Sequence, residues 1–198
     1  MTYDYEKDPH AIETESFRQI RALTNLGALN ADEAQVAMRL VHTCGDPSLT
    51  EEIVLSSQSV SAGLKAATRQ STVLCDVEMV KQGLTRRFQD GPVHCFLNDE
   101  RVPTLAKAKG ETRSMAALEL WKPHLKDSVV IIGNAPTALF RLLEMIADGA
   151  DKPALIIGMP VGFVGAAESK EALIEAADNM NLNVMSLRGR RGGSALAA

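Results

Sequence analysis

Aromatic residues are scarce, at 4% of 198 residues: one Trp, two Tyr and five Phe. Packing therefore falls to Val, Ile, Leu, Met and Ala, and the 45% hydrophobic fraction is enough for an ordinary core. Cysteine is scarce too. Cys44, Cys75 and Cys95 are odd in number and follow no CxxC or Cys/His spacing, which argues against a disulfide framework or a zinc site and for reduced thiols. No apolar run approaches the ~20 residues of a membrane-spanning helix. The leader MTYDYEKDPH is acidic and polar, without the apolar stretch of a secretory signal. The expectation is a cytoplasmic protein with no membrane partner. An excess of positive charge is also missing: 21 Lys and Arg stand against 25 Asp and Glu, a net charge of -4. That sign argues against nucleic acid as a partner. Neither GxxxxGK[ST] nor a GxGxxG between strand and helix occurs, so a nucleotide is not the favoured ligand. There is no internal repeat and no linker, and the length fits one domain over residues 1–198.

What is present falls into two patterns. The first is helical. Ile12, Phe17, Ile20 and Leu23 fall roughly on one helical face. Asn30 and Glu33 resemble a capping box, followed by Ala34, Ala37, Met38 and Val41 at helical spacing, with Gly45 and Pro47 as the stop. A further helix is expected over 61–69. The second pattern alternates. Strands are expected at 72–75, 93–97, 129–132, 154–157 and 183–186. Helices are expected near 112–121, over a stripe of Leu139, Leu142, Leu143 and Ile146, and from about Ala167. Near-continuous apolar strands alternating with amphipathic helices imply an α/β fold, its largely parallel sheet flanked by helices on both faces.

In such a sheet the segments Gly133–Thr137, Gly158–Gly165 and Arg188–Ser194 lie at one edge, the edge where open α/β sheets bind ligands. Gly133 brings backbone close to a ligand, Asn134 reads as a helix N-cap, and Pro136 suits the first turn. Arg188, Arg190 and Arg191 add positive charge there, so the three turns together predict a site for a small anion. Each glycine by itself is equally well explained by turn geometry.

His42 sits in the last turn of the helix that follows Asn30. The negative end of a helix dipole favours an imidazolium, which suits the side chain to give up a proton. A histidine there is more often a cap or a packing residue, and His10, His94 and His124 read as structural or exposed. Arg86 and Arg87 follow a short helical piece and the loop Gly83–Thr85, and Arg113 opens the helix near Thr112. An isolated arginine is usually a solvated charge, but several in one small protein suit a ligand with several carboxylates. Ser16 is polar on an apolar stripe, bonding either the preceding turn or a ligand.

These segments resemble one family over nearly the whole chain. Residues 12–17 (IETESF), 41–45 (VHTCG), 75–79 (CDVEM), 112–114 (TRS), 132–139 (IGNAPTAL), 158–170 (GMPVGFVGAAESK) and 188–194 (RGRRGGS) look like those of the precorrin-8X methylmutases. The resemblance implies an isomerase of cobalamin biosynthesis. It would move a methyl group from C-11 to C-12 of a corrinoid ring by a 1,5-sigmatropic shift, giving hydrogenobyrinate, or cobyrinate where cobalt is already bound. It also implies His42 as the acid, a homodimer with the macrocycle near the subunit interface, and a tetrapyrrole-derived polycarboxylate as substrate. Ser16, Met79, Thr85, Arg86, Arg113, Gly133, Asn134, Gly192 and Gly193 would bind it, with Met79 over the ring face. Such a shift needs no nucleophile, metal or other cofactor. One departure is Glu111, where the family is expected to carry Asn. Two alternatives remain: a corrinoid carrier without turnover, and a flavodoxin-like nucleotide binder favoured only by the alternating pattern.

Overall fold

The computed structural model describes residues 1–85 and 90–198. The chain divides into two compact units, Met1–Ile53 and Val54–Ala198.

In the first unit, α1 spans Pro9–Leu23 and α2 spans Ala31–Cys44. Asp8 caps α1 by accepting the His10 N–H, with proline in the first turn. The capping box of α2 forms as expected: Asn30 Oδ1 accepts from Asp32 and Glu33, and Glu33 accepts from the Asn30 N–H. Gly45, at φ 70°, closes the helix with its N–H on Val41. Ala34, Ala37, Met38, Leu40 and Val41 are buried, yet on α1 only Ile20 is. Ile12 and Leu23 stay exposed, contrary to the expected stripe. A two-helix hairpin offers one narrow seam, and α1 presents little more than Ile20 and half-buried Phe17 to it. A 3-10 turn, Pro47–Glu51, buries Leu49.

The second unit carries a six-stranded sheet of β1 (Ile53–Leu55), β2 (Val73–Cys75), β3 (Val93–His94), β4 (Val129–Ile132), β5 (Leu155–Gly158) and β6 (Val184–Leu187), in the order β1-β6-β5-β4-β2-β3. Neighbouring strands from β3 through β2, β4 and β5 to β6 are parallel. Its helices are α3 (Ser59–Thr68), α4 (Glu78–Gly83), α5 (Val102–Lys109), α6 (Arg113–Ala117), α7 (Pro136–Ala147), α8 (Ala166–Met180) and α9 (Ser194–Ala197). A Cβ on Gly63 of α3 would meet Leu155, whereas one on Gly158 would meet Leu139 of α7 and Leu173 of α8. Residues 155 and 158 of one strand point to opposite faces, so helices cover both. Leu139, Leu142, Leu143 and Ile146 are all buried and join Leu74, Val130, Ile132, Ile156, Val184 and Trp121 in the main core.

Three expected elements differ. The strand at 93–97 shortens to β3, because Phe96 turns out to stack on His94 and His124. The helix at 112–121 stops at Ala117 and continues as a 3-10 segment, Leu118–His124. Pro123 lacks the N–H an α-helix would need and crowds the preceding turn. The N-cap of α7 is Ala135 rather than Asn134. Among the described residues no helix is long and apolar enough to cross a membrane.

Candidate active site

The strand order places a reversal between β2 and β4: the chain runs from β2 to β3 on one side, then returns to β4 on the other. Doubly wound sheets bind phosphates in the crevice at such a point. Here the crevice is filled from within. Asp76, directly after β2 and 3% exposed, accepts the N–H groups of Gly133, Asn134 and Ala135 at 3.0, 2.9 and 2.8 Å. Its carboxylate does for α7 what an external anion or an N-cap side chain would do. Burial pushes the Asp76 carboxyl above its ordinary value, against the opposing pull of those backbone donors. Gly133 is buried, and a Cβ there would strike Val80 and the Ser194 and Ala197 of α9. The backbone donors of Gly133 and Asn134 are thus engaged, while the Asn134 side chain is exposed.

The other two glycine-rich turns are knitted together at the same edge. The Gly193 N–H donates to Met159 O at 2.8 Å. A Cβ on Gly192 would lie 2.3 Å from Met159 O and 2.6 Å from Pro160 O, so only glycine lets these two chains approach. Lys170 of α8 is fully buried and donates its ammonium to Arg191 O, bracing the turn from beneath. Arg188 pairs with Glu171, and Arg190 lies over the Phe163 ring at 5.6 Å. Val161, Phe163 and Val164 are exposed, forming an apolar lip with a cation on it.

Thr112 caps α6 through the Met115 N–H, and its hydroxyl lies 3.1 Å from that of Thr137. Arg113 is exposed. Its Nη2 donates to Leu97 O and Asn98 Oδ1, and its Nε and Nη1 have no partner among the described residues. Glu111 pairs with Arg141 of α7, and both side chains are largely buried. Met79 on α4 and Thr85 beyond it are exposed. Arg86 and Arg87 lie outside the described residues.

In the first unit, His42 is exposed at the carboxyl end of α2. Its ring stacks on Phe17 of α1, with centroids 5.4 Å apart and planes inclined by 22°. Among the described residues its ring nitrogens have no hydrogen-bond partner. Ser16 is half-buried, and its hydroxyl bonds nothing among the described residues, including the preceding turn.

Sequence reasoning missed Asp76 and Lys170. Both lie inside motifs that carry the family resemblance, CDVEM at 75–79 and GMPVGFVGAAESK ending at Lys170, and that placement was the available signal. It also set aside His94 and His124, whose rings stand 5.1 Å apart beside Phe96, with His94 shifted to a lower value by burial, His124 and Lys81.

Residues 11–198 match the family described as precorrin-8X methylmutase. A precorrin-8X methylmutase of Pseudomonas aeruginosa is 50% identical over 197 residues, covering 98% of this chain and 94% of that protein. A cobalt-precorrin-8 methylmutase of Methanocaldococcus jannaschii is 38% identical, covering 87% of this chain and 78% of that one. Among solved structures, the precorrin-8X methylmutase of Thermus thermophilus superposes with a TM-score of 0.84 at 37% identity, over 95% of this chain and 90% of that one. Matched by the family over residues 11–198 and half identical to a full-length relative, the chain belongs to the precorrin-8X methylmutase family of cobalamin-biosynthetic isomerases.

Proposed function

We propose that this protein converts precorrin-8X to hydrogenobyrinate by a 1,5-sigmatropic methyl shift, with His42 as the proton donor. The bond from the methyl group to C-11 breaks as the bond to C-12 forms, so no atom enters or leaves the ring. Protonation of a ring nitrogen polarises the conjugated system and lowers the migration barrier, and the proton is returned when the product forms. The observation that carries this reading is the His42 imidazole: exposed, with both nitrogens free of partners among the described residues. A group that must lend and recover a proton needs an unoccupied nitrogen.

In the second unit, Arg113, Thr85, the Asn134 side chain and the Gly192/Gly193 turn are assigned to substrate carboxylates, together with Arg86. Gly133 serves the same edge by its close packing, and Met79 lies over apolar ring surface. In the first unit, Ser16 is a donor to substrate. The half-identical Pseudomonas relative carries the name of the substrate without cobalt, which supports precorrin-8X over its cobalt form. The protein is further proposed to work as a homodimer in the cytoplasm. The test is turnover followed by visible absorbance. Product beyond one equivalent per chain is expected, and His42→Ala should cut kcat by about a hundredfold or more, in line with general acid catalysis. A spectral shift that stops at one equivalent indicates a carrier, and an active His42→Ala removes the assigned role.

A further inference from the structure

An acid on a solvent-exposed side chain is effective only if its ring is held in one plane. A free imidazole samples several χ1 and χ2 states, and each unproductive state lowers the rate. Catalytic histidines are commonly oriented by a hydrogen bond to the second ring nitrogen. His42 has no such bond among the described residues. Its ring is held instead by the stack on Phe17.

Phe17 is itself braced. Glu13 and Phe17 are four apart on α1, and Arg39 and His42 are three apart on α2, so each pair shares a helix face. The two faces meet as a chain of contacts. Glu13 Oε1 accepts from Arg39 Nη2 at 2.8 Å, the Arg39 guanidinium lies over the Phe17 ring at 4.5 Å, and Phe17 stacks on His42. The guanidinium and the phenyl ring attract as cation and π face, which limits rotation of the phenyl ring. A stacked imidazole keeps both nitrogens at its edge, clear of the phenyl face. Phe17 cannot accept a proton, so the brace orients the acid without competing for what it delivers.

We infer that Phe17, held by the Arg39–Glu13 pair, is a positioning residue for His42. This rests on His42 being the proton donor. In the full chain, Phe17→Leu removes the ring while keeping an apolar side chain, Phe17→Met does so with similar bulk, and Phe17→Tyr keeps the ring. The readouts are the His42 imidazole C–H resonances, assigned by their loss in His42→Gln, and steady-state kinetics on precorrin-8X. Leu and Met are expected to move the resonances downfield as the ring current is lost. They should lower kcat by about ten- to a hundredfold with KM within about twofold, and Tyr should restore both. Should Phe17→Leu fail to fold by circular dichroism, Phe17→Met decides. Wild-type kcat in the folded ring-less variant, beside an inactive His42→Ala, overturns the positioning role alone. An active His42→Ala overturns the proton-donor reading and this one with it. Unmoved resonances show that the stack is absent in solution, and also refute the inference.

Discussion

Asp76→Ala strips the acceptor from three backbone N–H groups at the start of α7. The residues Gly133 and Ala135 are buried, while Asn134 is exposed, so water can replace the carboxylate readily at only one of the three. A buried donor left unsatisfied costs about 1–3 kcal/mol, and the space vacated by the carboxyl adds to that. Two orphaned donors and a small void together predict a loss of about 3–5 kcal/mol, a large share of the ~5–15 kcal/mol that a domain has. Asp76→Asn keeps the shape and one acceptor oxygen, so it should cost roughly half as much. Trp121 is the sole tryptophan, fully buried in the Val54–Ala198 unit, so its fluorescence during urea unfolding reports on that unit. A midpoint shift for Asp76→Ala worth less than about 1 kcal/mol would refute the reasoning. The pH dependence supplies a second check. Because burial raises the Asp76 carboxyl above its ordinary 3.8, the folded chain holds a proton that the unfolded chain has already lost. Stability from this group therefore falls as pH rises through the folded value, and the Asn variant lacks that titration. Its deficit against wild type should be larger at pH 4 than at pH 7.

Three further substitutions concern other groups. Glu119 lies 2.7 Å from both Lys109 and Lys122, which hold its carboxyl down at about 2. Its contribution is complete above the ordinary 4.5 and lost as pH falls through about 2. The gap between wild type and Glu119→Gln in the same urea assay should therefore be about 1 kcal/mol or less at pH 7 and close by pH 2, since the lysines are well exposed. Gly192→Ala would drive a methyl group into Met159 O and Pro160 O, separating the two knitted turns. It should cost about 2 kcal/mol or more and raise KM for precorrin-8X. Gly162→Ala, strained only by its φ of 146° with open space around it, should cost less in parallel unfolding curves.

Much of the fold was legible because its signals are local. The strands 129–132, 154–157 and 183–186 match β4, β5 and β6 to within one residue, since each is a short apolar run bounded by polar or turn residues. The stripe of α7 and the capping box of α2 were equally readable. Strand β1 and helix α5 were not anticipated: three half-buried strand residues and a helix with few buried positions leave little periodicity. Proline at 123 was visible, but its consequence, a 3-10 segment reaching back to Leu118, was not.

The site divides along the same line. Sequence alone determined that three glycine-rich turns share one edge of a parallel sheet, because strand direction puts successive carboxyl ends together. It also singled out His42 at a helix end and, through its motifs, the family. Tertiary structure decided what the backbone N–H groups of those turns bond to. Asp76 and Gly133 are 57 residues apart, and no local pattern announces that one carboxylate will fill the N-terminus of α7. Pairing of β2 with β4 brings them together. The Phe17–His42 stack is of the same kind, since a contact between faces of two helices depends on how they pack. Propensity and spacing act over a few residues, whereas a buried charge or a stacked ring finds its partner only once the chain has folded back on itself.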